Sequence, residues 1–88
     1  MRLDKRVVFV TGGAKRIGSH LALALAGRGA NLIINYRYSN SDAQAVIREI
    51  ERLGVEAIAV QGDVSNAADV SRMIRAALDR FGRIDVLI

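Results

Sequence analysis

Cysteine is absent from the chain, and histidine occurs once, at His20. Without thiols there are neither disulfides nor thiolate ligands, and a single histidine with no cluster of acids at ligand spacing leaves no metal site to expect. Aromatic residues are scarce at 5%, and the 13 basic residues are scattered along the chain rather than gathered in a block. That argues against a nucleic-acid surface with stacking platforms, although the net charge of +4 favours polyanions in general. No apolar run is long enough to span a bilayer: the longest, over residues 17–26, is interrupted by Ser19 and His20. The charged start Met1-Arg2-Leu3-Asp4-Lys5-Arg6 has no separate apolar stretch or small-residue cleavage site, so no signal peptide is expected. These absences leave a soluble, cytoplasmic protein as the expectation, with no membrane and no nucleic acid as partners.

What is present is globular: 88 residues, 51% apolar and 25% charged, without low-complexity runs. A chain of this size is at most one small domain, which buries only about 60–65% of its unfolded surface. Residues 6–11 read as a first strand, β-branched and apolar on both faces, as a strand covered on both sides should be. A helix follows over 17–28, with Ile17, Leu21, Ala24, Leu25 and Arg28 at helical spacing and Leu23 and Ala26 widening the apolar face. Asn31 to Tyr36 form a second strand, and a polar segment from Arg37 to Asp42 offers N-caps for a helix over about 42–53. That helix carries Ala43, Val46, Ile47, Ile50 and Leu53 on one stripe, and Val55 to Gln61 form the third strand. Ser65 is the expected N-cap of a helix over 66–81, whose stripe is Val70, Met73, Ile74, Ala77, Leu78 and Phe81. Residues 84–88 begin a fourth strand.

Strands alternating with helices imply a parallel sheet with right-handed crossovers. The strand order expected is 3-2-1-4, which opens a crevice at the C-terminal end of the first strand. The stretch Val7-Val8-Phe9-Val10-Thr11-Gly12-Gly13-Ala14-Lys15-Arg16-Ile17-Gly18 lies there: buried strand, glycine turn, first helical turn. Such an arrangement delivers a helix N-terminus to a phosphate. Gly12 and Gly13 permit positive φ and a close approach of main-chain N–H groups to an anion, and Gly18 lets the helix sit close to the strand or the ligand. Lys15 and Arg16 add two cations. A Walker A loop does not fit, because Ser19 and His20 follow Gly18 where that loop needs Lys and Ser or Thr. A dinucleotide fits better. A ribose 2′-OH is usually held by an acid about 20 residues past the glycines, but here the second strand ends Asn35-Tyr36-Arg37 with no acid before Asp42. Arg37 would pair with a 2′-phosphate that a carboxylate would repel, so NADP(H) is the expected cofactor. Asp63 and Val64 stand at the end of strand three, suited to an adenine amino group and ring nitrogen or, equally, Asp63 to the dipole of the next helix. His20, with no nucleophile beside it, reads as a surface or interface residue.

Thr11-Gly12-Gly13-Ala14-Lys15-Arg16-Ile17-Gly18 resembles the Thr-Gly-x3-Gly-x-Gly cofactor motif of the short-chain dehydrogenases/reductases. Gly62-Asp63-Val64-Ser65 is similar to that family's adenine-contacting turn, and Phe81-Gly82-Arg83-Ile84-Asp85-Val86-Leu87-Ile88 to its fourth strand. Arg16 departs from the pattern, standing where a middle glycine is usual. With Lys15 and Asn35-Tyr36-Arg37 it is similar to the pteridine-reductase-like and 3-oxoacyl-carrier-protein-reductase-like branches, where an arginine at this position touches the cofactor phosphates. The resemblance implies a partial Rossmann-like three-layer α/β sandwich, a β-α-β-α-β-α-β parallel sheet truncated after its fourth strand, with residues 1–88 as the N-terminal part of an NADP-binding domain. The candidate cofactor contacts are Gly12, Lys15, Arg16, Ile17, Gly18, Tyr36, Arg37, Ser39, Asp63 and Val64.

The resemblance also implies an Asn-Asn-Ala-Gly segment, a catalytic serine and a Tyr-x3-Lys pair beyond the fourth strand. None occurs here, and Tyr36 and Tyr38 are followed four residues on by Asn40 and Asp42. No catalytic residue is therefore assigned, and the isolated 88-residue chain is expected to be inactive. Three readings follow: the cofactor-binding part of an NADP-dependent reductase that moves hydride between nicotinamide and a carbonyl/alcohol or pteridine-like substrate, homo-oligomeric at full length; a stand-alone nucleotide-binding or regulatory module; or a structural or interaction protein reusing the fold, or a basic nucleic-acid binder. An apolar fourth-strand edge, and Val and Ile side chains exposed on one face of strands one and four, are expected of the first.

Overall fold

The computed structural model describes residues 2–88. Its elements are β1 (Val7–Val10), α1 (Arg16–Ala26), β2 (Asn31–Tyr36), α2 (Asn40–Arg52), β3 (Ala57–Gln61), α3 (Ala67–Phe81) and β4 (Val86–Leu87). The strands form one parallel sheet in the order β3-β2-β1-β4, the expected order. Registers such as Val10↔Ile34 and Tyr36↔Gln61 bring the C-terminal ends of the first three strands to one rim.

Alternation along the strands sorts side chains to two faces. Val8, Val10, Leu32 and Ile34 point into a core with Ala22 and Ala26 of α1 and Ala43, Ile47 and Ile50 of α2. Val7, Phe9 and Ile33 point the other way, onto Met73 and Ala77 of α3. The molecule is thus three layers, with β1 buried along its whole length as its continuous apolar run requires.

Several expectations need correcting. The apolar face of α1 is rotated from the one expected: Ala22 and Ala26 are its buried residues, while Ile17 is 83% exposed. Small alanines let this helix lie close on the sheet, and a wider side chain there would hold it off. Leu53 lies past the last buried turn of α2 and is exposed, as is Leu78 on α3. The N-cap of α3 is Asn66, whose side-chain oxygen accepts the N–H of Asp69, rather than Ser65. On the sheet, β1 exposes none of its side chains, because α3 covers Val7 and Phe9. Exposure falls instead on β4, where Val86, Leu87 and Ile88 stand open at the edge. β4 pairs through only two residues, but hydrogen bonds from Asp85 N–H to Val7 O (2.8 Å) and from Ile88 N–H to Phe9 O (2.9 Å) extend its attachment. Asp85 fastens its start: the carboxylate accepts the Val7 N–H at 2.8 Å and the Arg83 guanidinium Nε–H at 3.0 Å. The hydrogen bond from Arg83, then that from Val7, holds the Asp85 carboxyl below the usual range.

Candidate functional site

The rim at the strand ends carries a cleft of about 390 Å³. It lies between the turn after β1, the segment after β2 and the turn after β3. Of the ten candidate residues, Gly12, Lys15, Tyr36, Arg37, Ser39, Asp63 and Val64 line it. Arg16, Ile17 and Gly18 do not; they form the first turn of α1 beside it.

The glycine turn is built by close packing. Gly12 takes φ +63°, a conformation costly for other residues. A Cβ on Gly18 would stand 2.3 Å from the carbonyl oxygen of Gly12 and 2.9 Å from the Cα of Gly13. Only a glycine lets the helix begin against the turn. Gly13 does not take positive φ, contrary to the expectation; its Cα instead lies against Ile34, whose Cγ2 would be 3.1 Å from a Cβ there.

The main-chain donors are also arranged differently from the expectation. The Gly12 N–H donates to Asn35 Oδ1 (3.2 Å) and the Gly13 N–H to the Asn35 carbonyl (3.1 Å). Both are therefore turned inward. The first N–H of the α1 ladder is that of Ser19, to Lys15 O at 2.8 Å, which leaves the N–H groups of Arg16, Ile17 and Gly18 as the orphan donors of the helix start. No side chain caps that start, no acid stands in its first turn, and Lys15 and Arg16 flank it. It is an electropositive end.

Asn35 is the residue that sequence reasoning missed. It is the one polar residue in the described core, 4% exposed. Besides receiving the Gly12 N–H, its amide nitrogen donates to Gly62 O at 3.0 Å. One side chain therefore ties the turn after β1 to the turn after β3. The available signal was an asparagine closing an otherwise apolar strand, where a buried amide must find partners.

Across the cleft, Asp63 is held by Ser65, whose N–H (2.9 Å) and hydroxyl (2.7 Å) both donate to Oδ1. The other oxygen faces Arg37, with Nη2 at 2.9 Å from Oδ2. The Ser65 hydroxyl, its N–H and then the Arg37 charge keep the Asp63 carboxyl below its ordinary range, so it is an anion at neutral pH. Arg37 also lies over the Tyr38 ring, 5.0 Å from its centroid. No carboxylate belongs to the β2 end itself: the acid that Arg37 meets comes from the neighbouring turn. His20 is exposed on α1, as expected, and no group of three or more potential metal ligands occurs among the described residues.

The sequence model of the short chain dehydrogenase family matches residues 6–88. The chain belongs to the short-chain dehydrogenases. Among curated short-chain dehydrogenase relatives, the 3-oxoacyl-[acyl-carrier-protein] reductase of Synechocystis sp. is 48% identical over 86 residues, covering 98% of this chain and 35% of that protein. Among solved structures, a short chain dehydrogenase from Burkholderia cenocepacia in complex with NADP superposes with a TM-score of 0.93 at 39% identity, over 99% of this chain and 36% of that one. A dehydrogenase/reductase from Sinorhizobium meliloti gives the same TM-score at 36% identity, over 98% and 34%. The chain thus spans about a third of the length of the short-chain dehydrogenases that it matches. Among the described residues, no helix is long and apolar enough to cross a membrane.

Proposed function

We propose that residues 1–88 are the NADP(H)-binding portion of a short-chain dehydrogenase that moves hydride between nicotinamide and a carbonyl, alcohol or pteridine-like compound. The observation that carries the reading is Arg37 on the cleft rim, at the end of a strand that contributes no carboxylate. Family membership and an NADP complex among the structural relatives support it.

The residues fit the group in size, charge and donor set. The cleft of about 390 Å³ suits an adenosine moiety. Gly12 has no atom within 4 Å of where its Cβ would be, so a ligand can approach its backbone. The orphan N–H groups of Arg16, Ile17 and Gly18, with Lys15 and Arg16, would take the pyrophosphate oxygens. Arg37 would take the 2′-phosphate, with Ser39 and Tyr36 beside it. Asp63 would accept the adenine amino group, and the Val64 N–H would donate to a ring nitrogen. When bound, the dinucleotide supplies the hydride donor or acceptor. This segment contributes binding and orientation, and the proton-transferring serine, tyrosine and lysine belong to chain outside it. A small-molecule substrate, a homo-oligomer and a cytoplasmic setting are part of the same proposal for the whole protein.

Calorimetric titration of the chain with NADPH and NADH tests the reading. Arg37→Ala is expected to remove most of the NADPH preference, about ten- to hundredfold, the range of a charged hydrogen-bonded pair. An unchanged ratio of affinities would refute the assignment of Arg37, and no binding of either nucleotide would refute the proposal.

A further inference from the structure

We propose that Asp63 is the positioning residue for Arg37, so that a single carboxylate on the turn after β3 couples recognition of the adenine base to recognition of the 2′-phosphate. The inference rests on the cofactor reading above and goes past it: Asp63 sets cofactor preference through another side chain.

The argument begins with two unequal partners. Arg37 is a long side chain, 56% exposed, which free in water would sample many rotamers. Asp63 is shorter and 26% exposed, and its Oδ1 is fixed by two donors from Ser65. A fixed carboxylate thus holds a mobile guanidinium, with Nη2 at 2.9 Å from Oδ2 and the Tyr38 ring against the guanidinium carbon at 5.0 Å. The contact engages one terminal nitrogen. Nε and Nη1 remain for a second anion, and a guanidinium has enough donors for both. The backbone beneath is restrained too, since the Gln61 side chain donates to the Arg37 carbonyl at 3.1 Å and the Gly62 N–H to the Tyr36 carbonyl at 2.9 Å.

The acceptor count of the carboxylate agrees. An ionised Asp offers about four lone-pair sites. Ser65 takes the two on Oδ1, and Arg37 meets Oδ2 as an ion pair, so Oδ2 keeps room for an adenine amino group. Base recognition and arginine positioning are therefore compatible on the same side chain. Order in Arg37 matters only to a ligand that uses it. A nucleotide with a 2′-phosphate finds the guanidinium already placed, and one without it gains nothing. Removing the Asp63 charge should accordingly weaken binding of the 2′-phosphorylated ligand selectively.

The probes are adenosine 2′,5′-bisphosphate and adenosine 5′-monophosphate, which differ only in the group at issue. Their affinities are measured by calorimetry on the unaltered chain, Asp63→Asn, Arg37→Ala and the double variant. Asparagine keeps an oxygen for the two Ser65 donors but loses the ion pair, and any contact it loses to adenine is lost equally for both probes. The ratio of the two affinities is unaffected by any change in the folded fraction, because that fraction scales both constants equally. In Asp63→Asn the preference for the bisphosphate is expected to fall about two- to fivefold, the scale of a part-exposed ion pair. On the Arg37→Ala background the same substitution should leave the ratio where Arg37→Ala put it. A preference that Asp63→Asn leaves unchanged, or raises through relief of like-charge repulsion, overturns the inference while the cofactor reading stands. If the unaltered chain binds neither probe, the cofactor reading falls and this inference with it.

Discussion

On the face of the sheet covered by α1 and α2, Leu32, Ile34 and Ile50 are wholly buried in one core. On the face covered by α3, Met73 and Ala77 are the buried helix residues, and Leu78 remains 44% exposed. The rim of the cleft draws on both. Gly13 of the first turn rests on Ile34 of the closed face, whereas Gly62 of the second rests on Met73 of the open one, whose sulfur would be 2.8 Å from a Cβ there. The turn after β1 is thus mounted on the larger buried core and the turn after β3 on the smaller one. Asn35 joins them.

The largest test of that contrast is Ile50→Ala, which should cost about 2–5 kcal/mol in urea unfolding, the range for a large buried aliphatic. Asn35→Ala comes next, at about 1–3 kcal/mol, because it leaves the Gly12 N–H and the Gly62 carbonyl without their partner. Faster amide exchange at Gly12 than at Val10 would localise that loss to the turn. Acidification is smaller and falls on the other face of the comparison. Asp63 and Asp85 both titrate below the ordinary carboxyl value when folded, so their stabilisation is complete above the unfolded value of about 3.9. It is lost as pH drops through the lower folded values. Thermal melting should therefore be insensitive to these two groups from neutrality down to about pH 5, and Asp85→Asn should flatten the decline at lower pH. Smallest of all is Leu78→Ala, expected within about 0.5 kcal/mol of the unaltered chain. A cost there equal to that of Ile50→Ala would erase the distinction between the faces.

The alternation of strands and helices, the order β3-β2-β1-β4 and the glycine turn were legible because each is written locally: β-branched runs, helical stripes, glycines at fixed intervals. Seven of the ten candidate residues meet in one cleft for the same reason, since the ends of neighbouring parallel strands must share a rim. What escaped the sequence joins positions far apart in it. Asn35 with Gly62 and Arg37 with Asp63 are brought together by strand register, which leaves no periodic trace. The face of α1 was misjudged because alanines, and not its leucines, occupy the closest approach to the sheet. Ser65 was misjudged because its hydroxyl had a stronger partner in Asp63 than the helix could offer.

The carbonyl of Gly12 lies under the bare backbone of Gly18 and accepts the N–H of Lys15 at 3.3 Å. The helix start therefore roofs over the oxygen of the loop while its own hydrogens stay outside. On this side of the cleft an arriving ion therefore meets ammonium, guanidinium and amide hydrogens, while the Gly12 oxygen is shut away behind a residue that has no side chain.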